Sequence, residues 1–159
     1  MAHTTFTALA DAARVHGSLG LAALARESEE SGHDIETLRA SMDTELGVME
    51  ESIASGRATH ARSRSGLTGG DAARVAGGPA VVGSPFRDAL ADALAVGETN
   101  ARMGRIVAAP TAGSSGVVPA VLLALARTHD SSRADVVDAL FTAGAVGAVI
   151  ASRATLSGA

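Results

Sequence analysis

Residues 100–123 have the sequence NARMGRIVAAPTAGSSGVVPAVLL, in which small and hydroxyl-bearing residues lie between two apolar runs. Within it, Pro110 fixes its own φ angle and favours an extended conformation at Ala109. Gly113 and Gly116 permit backbone conformations, or a close approach of a ligand, that a Cβ atom would prevent. The stretch therefore predicts a constrained loop that leads from one core element into the next.

The two serines at the end of this loop support two interpretations of it. Ser114 and Ser115 are good N-cap residues, and Pro119 is suited to the first turn of a helix that begins near Val117. The loop would then be a capped connection with a structural role. Alternatively, free N–H groups at the helix start, together with the hydroxyl of Thr111, would bind a carboxylate or phosphate. Spacing alone leaves both interpretations open.

A second loop of similar composition covers residues 65–71, with the sequence SGLTGGD. On its own it predicts a turn followed by a short helix that begins at Ala72, with Asp71 as the N-cap. Its hydroxyl groups make it a second candidate for ligand binding.

Three stretches resemble, in the same order, the iron–sulfur L-serine dehydratases (L-serine ammonia-lyases) in their alpha subunit or alpha domain. They are SRSGLTGGDAARV at 63–75, NARMGRIVAAPTAGSSGVVPAVLLA at 100–124 and ALFTAGAVGAVIASRATLSGA at 139–159. The N-terminal region is similar in helical pattern only, so the resemblance covers nearly the whole chain. It implies an enzyme that converts L-serine to pyruvate and ammonia, with a beta domain or subunit as partner and a dimeric assembly.

The resemblance also implies that both loops belong to an active site. The residues implied to bind the substrate are Ser63, Ser65, Thr68, Asn100, Thr111, Gly113, Ser114 and Ser115. Thr111 and the Ser114–Ser115 pair are expected to contact the substrate carboxylate, whereas the hydroxyls of the first loop suit either its carboxylate or its ammonium. The family usually has a lysine near Arg62, where arginine keeps the charge but presents a planar fork. No general base is identified.

The cofactor implied by the resemblance is a [4Fe–4S] cluster, whose open iron acts as a Lewis acid on the substrate hydroxyl. Such a cluster is held by cysteine thiolates, and the sequence contains no cysteine. In the family, the segment similar to residues 155–159 runs on into a Gly-Gly-Cys sequence with the first ligand. We therefore interpret the chain as an N-terminal fragment that ends before the cluster cysteines, with no metal ligand of its own.

Composition limits the possible functions. A net charge of −4 over 159 residues provides no basic stripe, and an aromatic content of 2% provides no base-stacking platform, so nucleic acid is not an expected partner. The N-terminus lacks the basic and apolar regions of a signal peptide. The apolar run at 139–151 is shorter than a membrane span needs. We expect a cytoplasmic protein with no membrane partner.

Periodicity predicts an all-α fold in a single domain over 1–159. The predicted helices cover residues 5–14, 21–29, 34–55, 72–75, 84–97, 132–151 and a stretch that begins near 117. Residues 136–150, apolar nearly all round, are expected to form the buried central helix, with Gly144 and Gly147 admitting neighbouring helices. Because an incomplete domain would remove partners, some apolar surface is also expected there. Residues 105–109 are the best strand candidate.

Two other functions compete with the serine dehydratase interpretation. One is a related cluster lyase with another substrate, such as a cysteine desulfidase. The other is a helical interaction module without a cluster, which is supported by the missing cysteines and the alanine-rich helices.

Overall fold

The computed structural model describes residues 5–79 and 82–154 and consists of helices joined by loops. The helices are α1 (Phe6–His16), α2 (Leu19–Ser31), α3 (Ile35–Arg57), α4 (Asp71–Gly77), α5 (Ser84–Ala101), α6 (Val117–His129) and α7 (Arg133–Ala151). No strand occurs in these described ranges, so the prediction of an all-α fold is confirmed. Residues 105–109, the strand candidate, form irregular coil.

The helices belong to two compact units. The first comprises Met1–Asp43 and Arg133–Ala159, and therefore contains α1, α2, the beginning of α3, and α7. The second comprises Thr44–Ser132 and contains the end of α3 together with α4, α5 and α6.

In the first unit, α2 packs against both α1 and α7. A Cβ atom at Gly20 of α2 would collide with the carbonyl oxygen of Asp138 in α7, so the two helices approach as closely as glycine permits. The Asp138 carboxylate accepts hydrogen bonds from the guanidinium of Arg39, with 2.9 Å between Nη2 and Oδ2. Arg133 of α7 forms a second ion pair, with Asp43. These contacts join α2, α3 and α7.

Helix α7, expected to be the buried central helix, is buried along one face only and exposed along the other. Its buried side chains are Val136, Val137, Leu140, Phe141 and Val149. Ile150 is 51% exposed, which agrees with the expected apolar surface. A Cβ atom at Gly144 or Gly147 would meet nothing within 4 Å, so these glycines do not admit a neighbouring helix within the described residues.

With 19 residues, α7 is longer than the apolar run counted from the sequence. By length and composition it would reach across a bilayer, and 28% of its most apolar window is buried. The core helix of a soluble protein passes the same test of length and composition.

In the second unit, α5 packs against both α4 and α6. Gly56, predicted to end α3, lies inside the helix, and a Cβ atom there would overlap the carbonyl group of Ala95 in α5. At Gly116 a Cβ atom would lie 2.6 Å from the carbonyl oxygen of Ala93. Because the chain has few aromatic side chains to fill the core, the backbones of α3 and of the start of α6 pack directly against the backbone of α5.

Helix α5 begins after Gly83, with Pro85 in the first turn, and continues beyond Gly97, where the sequence predicted its end. Ser84 does not cap this helix and instead donates a hydrogen bond to the side chain of Asp88. The last turn of α5 has tertiary partners that offset the cost of the glycine, including a 2.8 Å hydrogen bond from Thr99 Oγ1 to the carbonyl of Ser52.

A buried carboxylate connects three helices of this unit. The side chain of Asp92 in α5 is 2% exposed and pairs with Arg57 of α3 and Arg127 of α6, each at 2.6 Å. A carboxylate can remain charged at such depth because two guanidinium groups compensate it. Removal of either arginine would leave charge uncompensated in the core.

The close approach at Gly56 gives a first prediction. Gly56→Ala should lower the free energy of unfolding by about 1–3 kcal/mol, because the new methyl group has to displace the backbone of α5. Gly144→Ala is the matched control: it lies in an exposed helix interior with open space and should raise stability by about 0.5–1 kcal/mol. Urea denaturation followed by circular dichroism measures both. Equal changes in the free energy of unfolding for the two substitutions would contradict the close contact between Gly56 and α5.

The second prediction concerns Asp34, whose side chain caps the start of α3. Its Oδ1 accepts a 2.8 Å hydrogen bond from the Thr37 N–H, and its Oδ2 accepts one from the Thr37 hydroxyl. The backbone hydrogen bond, followed by the hydroxyl, lowers the pKa of Asp34 below its ordinary value of 3.8. This stabilisation is present above that value and is lost as the pH falls through the lower pKa of the folded state.

The stability advantage of the wild type over Asp34→Ala should therefore shrink as the pH is lowered from about 5 to about 3. Asp34→Asn keeps a capping oxygen without the titration, so its advantage over Asp34→Ala should change far less. Thermal unfolding of the three proteins over this pH range tests the assignment. A wild-type advantage that is independent of pH would show that the capping carboxylate does not carry the effect.

Candidate functional site

The two loops selected from the sequence meet at one cavity of the second unit. We call residues 63–70 the serine loop and residues 109–116 the proline loop. The cavity has a volume of about 360 Å³. Its lining consists of Thr68, Asp71, Leu90, Ala93, Leu94, Gly97, Glu98, Gly113, Gly116 and Val117. Both loops therefore contribute to it, and α5 forms the wall between them.

The serine loop is closed by hydrogen bonds within itself. The N–H of Ser63 donates to the carbonyl of Thr68 at 2.8 Å, and that of Gly66 donates to the carbonyl of Ser63 at 2.9 Å. The hydroxyls of Ser63 and Ser65 lie 3.1 Å apart. Arg62 donates to the carbonyl of Gly66, so its guanidinium supports the loop from outside. Ser63, only 8% exposed, is mainly a bracing residue.

Two glycines bring the serine loop to the start of α4. Gly69 and Gly70 have φ angles of +142° and +80°, which side-chain-bearing residues rarely adopt. A Cβ atom at Gly69 would also lie 2.5 Å from the carbonyl oxygen of Ala61. Position 69 therefore requires glycine, both for its positive φ angle and for its close contact with Ala61.

Thr68 has a buried hydroxyl for which the described residues provide no hydrogen-bond partner. The residue lines the cavity, and its backbone is held by the carbonyl bond to Ser63. Since nearly all buried polar atoms in proteins have a partner, an unsatisfied hydroxyl at a cavity indicates a place for a ligand or water.

The proline loop is also braced by its own hydroxyls. The side-chain oxygens of Thr111 and Ser114 lie 3.0 Å apart, and Ser114 Oγ donates to the carbonyl of Ala109 at 3.1 Å. Ser115 is 2% exposed and donates to the carbonyl of Ala112 at 2.8 Å. The peptide bond before Pro110 is cis.

Of the two interpretations of the loop, the one in which Ser114 and Ser115 cap α6 is wrong. The N-cap of α6 is Gly116, and no side chain makes a capping hydrogen bond there. The N–H of Val117 instead donates to the backbone carbonyl of Ser114 at 3.0 Å. The serine hydroxyls are directed to loop carbonyls because the loop turns before the helix starts.

Glu98, which the sequence analysis did not select, is the main polar group of the cavity wall. It is 3% exposed, and its Oε1 accepts hydrogen bonds from the N–H groups of Asp71 (2.6 Å) and Ala72 (3.1 Å). It thus caps α4 from a neighbouring helix. The prediction that Asp71 is this cap is wrong: Gly70 occupies the N-cap position, and the Asp71 carboxylate pairs with Arg74.

The other carboxylate oxygen of Glu98, Oε2, does not take part in capping α4. Oε2 is buried and has no hydrogen-bond partner in the described part of the chain. The nearest cation is Arg102, with Nη1 at 3.8 Å. One sequence feature pointed to this residue, since position 98 continues the helical spacing of Ala91 and Ala95, a face that packs inward. Because the sequence predicted that the helix ends at Gly97, this helical spacing was not extended to Glu98.

The structure places the predicted substrate-binding residues in two groups. Thr68 and Gly113 line the cavity. The others brace the loops next to it: Ser63, Ser65, Asn100, Thr111, Ser114 and Ser115. Asn100 does so from the end of α5, where its amide donates to the carbonyl of Ala112 at 3.3 Å.

A second, larger cavity of about 550 Å³ lies elsewhere in this unit. It is lined by the paired charges Asp92, Arg57 and Arg127, together with Glu50, Ile53, Ala54, Asp88 and Leu123. Its buried carboxylate is already neutralised by two arginines, so we assign it a structural role.

Comparison with known proteins identifies the family. Residues 16–159 match the family model described as "Serine dehydratase alpha chain". The chain is 41% identical over 140 residues to the probable L-serine dehydratase, alpha chain, of Bacillus subtilis, a match that covers 86% of this chain and 46% of that protein. It is 43% identical over 82 residues to the L-serine dehydratase, alpha chain, of Peptoniphilus asaccharolyticus, covering 52% and 28% of the two chains.

A shorter match involves L-serine dehydratase 1 of Escherichia coli, with 47% identity over 68 residues, or 42% of this chain and 15% of that protein. The matched region is thus less than half the length of each of these relatives. No solved structure matches the chain significantly. The family model nevertheless covers nearly the whole chain and confirms the resemblance of its three motifs, so the chain belongs to the serine dehydratase alpha chain family.

Proposed function

We propose that this chain is the substrate-binding part of an L-serine ammonia-lyase, which converts L-serine to pyruvate and ammonia. The observation that carries the proposal is the cavity at which both family loops meet beside α5. Its volume of about 360 Å³ suits a small amino acid. The names of the relatives, which are L-serine dehydratases, support serine as the substrate.

The role proposed for the chain is to bind and orient the substrate. Elimination of water from serine removes an α-proton and a hydroxide, and both steps depend on how the Cα–H and Cβ–O bonds are placed. We assign the substrate carboxylate to the proline loop, where Gly113 lines the cavity between the half-buried hydroxyls of Thr111 and Ser114. Ser115 and Asn100 support this site by holding the carbonyl of Ala112.

A [4Fe–4S] cluster does not fit the residues of this chain. The sequence has no cysteine, and the described residues contain no group of three or more metal-binding side chains. We propose that the complete enzyme carries the cluster on ligands outside these 159 residues. For the same reason we propose that activity requires the remainder of the alpha domain and a beta domain or subunit, in a cytoplasmic and dimeric enzyme.

The third prediction is that the 159-residue chain by itself binds no iron–sulfur cluster and has no dehydratase activity. Cluster ligation needs thiolates, and this chain has none. Anaerobic reconstitution with iron and sulfide, followed by absorption in the thiolate-to-iron charge-transfer region, tests this directly. A stoichiometric cluster on the isolated chain would refute the proposed location of the ligands.

The fourth prediction tests the carboxylate site in the complete enzyme. Thr111→Val and Ser114→Ala should each lower kcat/KM for L-serine by about tenfold or more, the usual effect of losing a hydrogen bond to a charged group. Each variant loses a hydrogen bond within the loop but no cap of α6, so the melting temperature should fall only modestly. Cluster content has to be checked for each variant.

Thr128→Val is the matched control, since this threonine donates to the carbonyl of Ala124 near the end of α6 and lies outside both loops. It should leave kcat/KM close to the wild-type value. If Thr111→Val and Ser114→Ala lose stability but keep their kcat/KM, the proline loop is structural and the carboxylate assignment is wrong.

A further inference from the structure

Two residues that line the cavity each have a buried side-chain oxygen without a hydrogen-bond partner among the described residues: Oε2 of Glu98 and Oγ1 of Thr68. They come from different elements, α5 and the serine loop, and both residues line the same cavity. Buried polar atoms are almost always paired, because an unpaired one loses its hydration without compensation. Two such atoms at one cavity indicate a ligand that carries hydrogen-bond donors.

We propose that Glu98 Oε2 and Thr68 Oγ1 together bind the α-ammonium group of the amino-acid substrate. This inference rests on the proposed function and adds to it the orientation of the substrate. The ammonium lies at the junction of α5 and the serine loop, and the carboxylate lies towards the proline loop.

The charges around the cavity favour an ammonium over a carboxylate at this end. Among the residues that the structure describes, the lining contains two acids, Asp71 and Glu98, and no lysine, arginine or histidine. The Asp71 carboxylate is paired with Arg74, so Glu98 is the acid that remains for a ligand. An ionised carboxylate is an acceptor only, and an ammonium group is a donor only, so the two are complementary.

Arg102 is the nearest cation to Glu98, but it does not donate a hydrogen bond to Oε2 as an ammonium group would. Its Nη1 lies 3.8 Å from Glu98 Oε2, which is an ion-pair distance without a hydrogen bond. The guanidinium is directed to the backbone instead, with contacts to the carbonyls of Ala61 and Ser55 at 3.5 and 3.4 Å. Glu98 therefore has partial charge compensation and free acceptor capacity.

The two proposed ligand-binding atoms are held rigidly. Glu98 is anchored through Oε1, which accepts from two N–H groups of α4, and its helix is buried against Gly56 and Gly116. Thr68 is held by the backbone bond to Ser63. A receptor that is ordered before binding loses little conformational entropy when the ligand arrives.

The test separates the two oxygens of Glu98. Glu98→Gln keeps an Oε1 that can still cap α4, but replaces Oε2 by an NH₂ group that cannot accept a hydrogen bond from an ammonium. In the complete enzyme, it should weaken equilibrium binding of L-serine by about 10- to 100-fold, the range for a lost charge-assisted hydrogen bond. Glu51→Gln, at an exposed position of α3, is the matched control and should leave the affinity unchanged.

Thr68→Val gives an independent readout, because the described residues offer this hydroxyl no hydrogen-bond partner that the substitution would remove. The melting temperature should stay the same or rise, whereas the affinity for L-serine should fall by about five- to tenfold. If Glu98→Gln fails to fold, Thr68→Val decides the question. Unchanged affinity in a folded Thr68→Val protein would then overturn the inference.

The ammonium itself is tested with glycerate, in which a hydroxyl replaces the amino group of serine. Calorimetric titration should show that Glu98→Gln and Thr68→Val weaken binding of L-serine much more than binding of glycerate. Equal losses for both ligands, or no loss for either, would overturn the assignment.

Activity measurements distinguish this inference from the proposed function. Serine dehydratase activity with a KM unchanged by Glu98→Gln and Thr68→Val would overturn the inference and leave the proposed function intact. Binding of L-serine that depends on Glu98, in a complete protein without dehydratase activity, would support the inference and overturn the proposed function.

Discussion

The close approach of backbones along α5 is the contact on which the second unit depends. Aromatic residues make up 2% of the chain, so large side chains cannot fill the space between its helices. Instead, Gly56 lies against the carbonyl of Ala95, and Gly116 lies against that of Ala93. Packing of this kind tolerates no added methyl group, because the obstructing atoms belong to the main chain. This packing holds α5 in a fixed position relative to α3 and α6.

The polar groups of α5 use this fixed position to organise the cavity. Asp92 holds the arginines of α3 and α6, Glu98 caps α4, and Asn100 holds the proline loop through the carbonyl of Ala112. Each acts on an element distant in sequence, and all three project from one buried helix. A binding site built on a rigid helix is more precise than one built on loops alone. Helix α5 thus supports both loops of this chain.

The division of roles within the proposed enzyme follows from the side chains that the chain provides. It has the hydroxyl of Thr68 and the buried carboxylate of Glu98 at the cavity, and these groups suit the recognition of an amino acid. It has no thiolates, so under the proposed function the ligands of the cluster lie on residues outside this chain. The matched region covers 46% of the Bacillus subtilis relative.

The sequence by itself determined the all-α class, the family and the two loops, because helical periodicity and motifs are properties of neighbouring residues. Only the tertiary structure decided which residues matter in each loop. Ser115 looks like a helix cap in sequence yet donates to a loop carbonyl, and Glu98 looks like a surface acid after a helix end yet caps α4 from 27 positions away. Likewise, a Cβ atom at Gly56 would meet another backbone, whereas one at Gly144 would meet no described residue within 4 Å. Local sequence patterns show which face of a helix is apolar, but not which distant segment will pack against it.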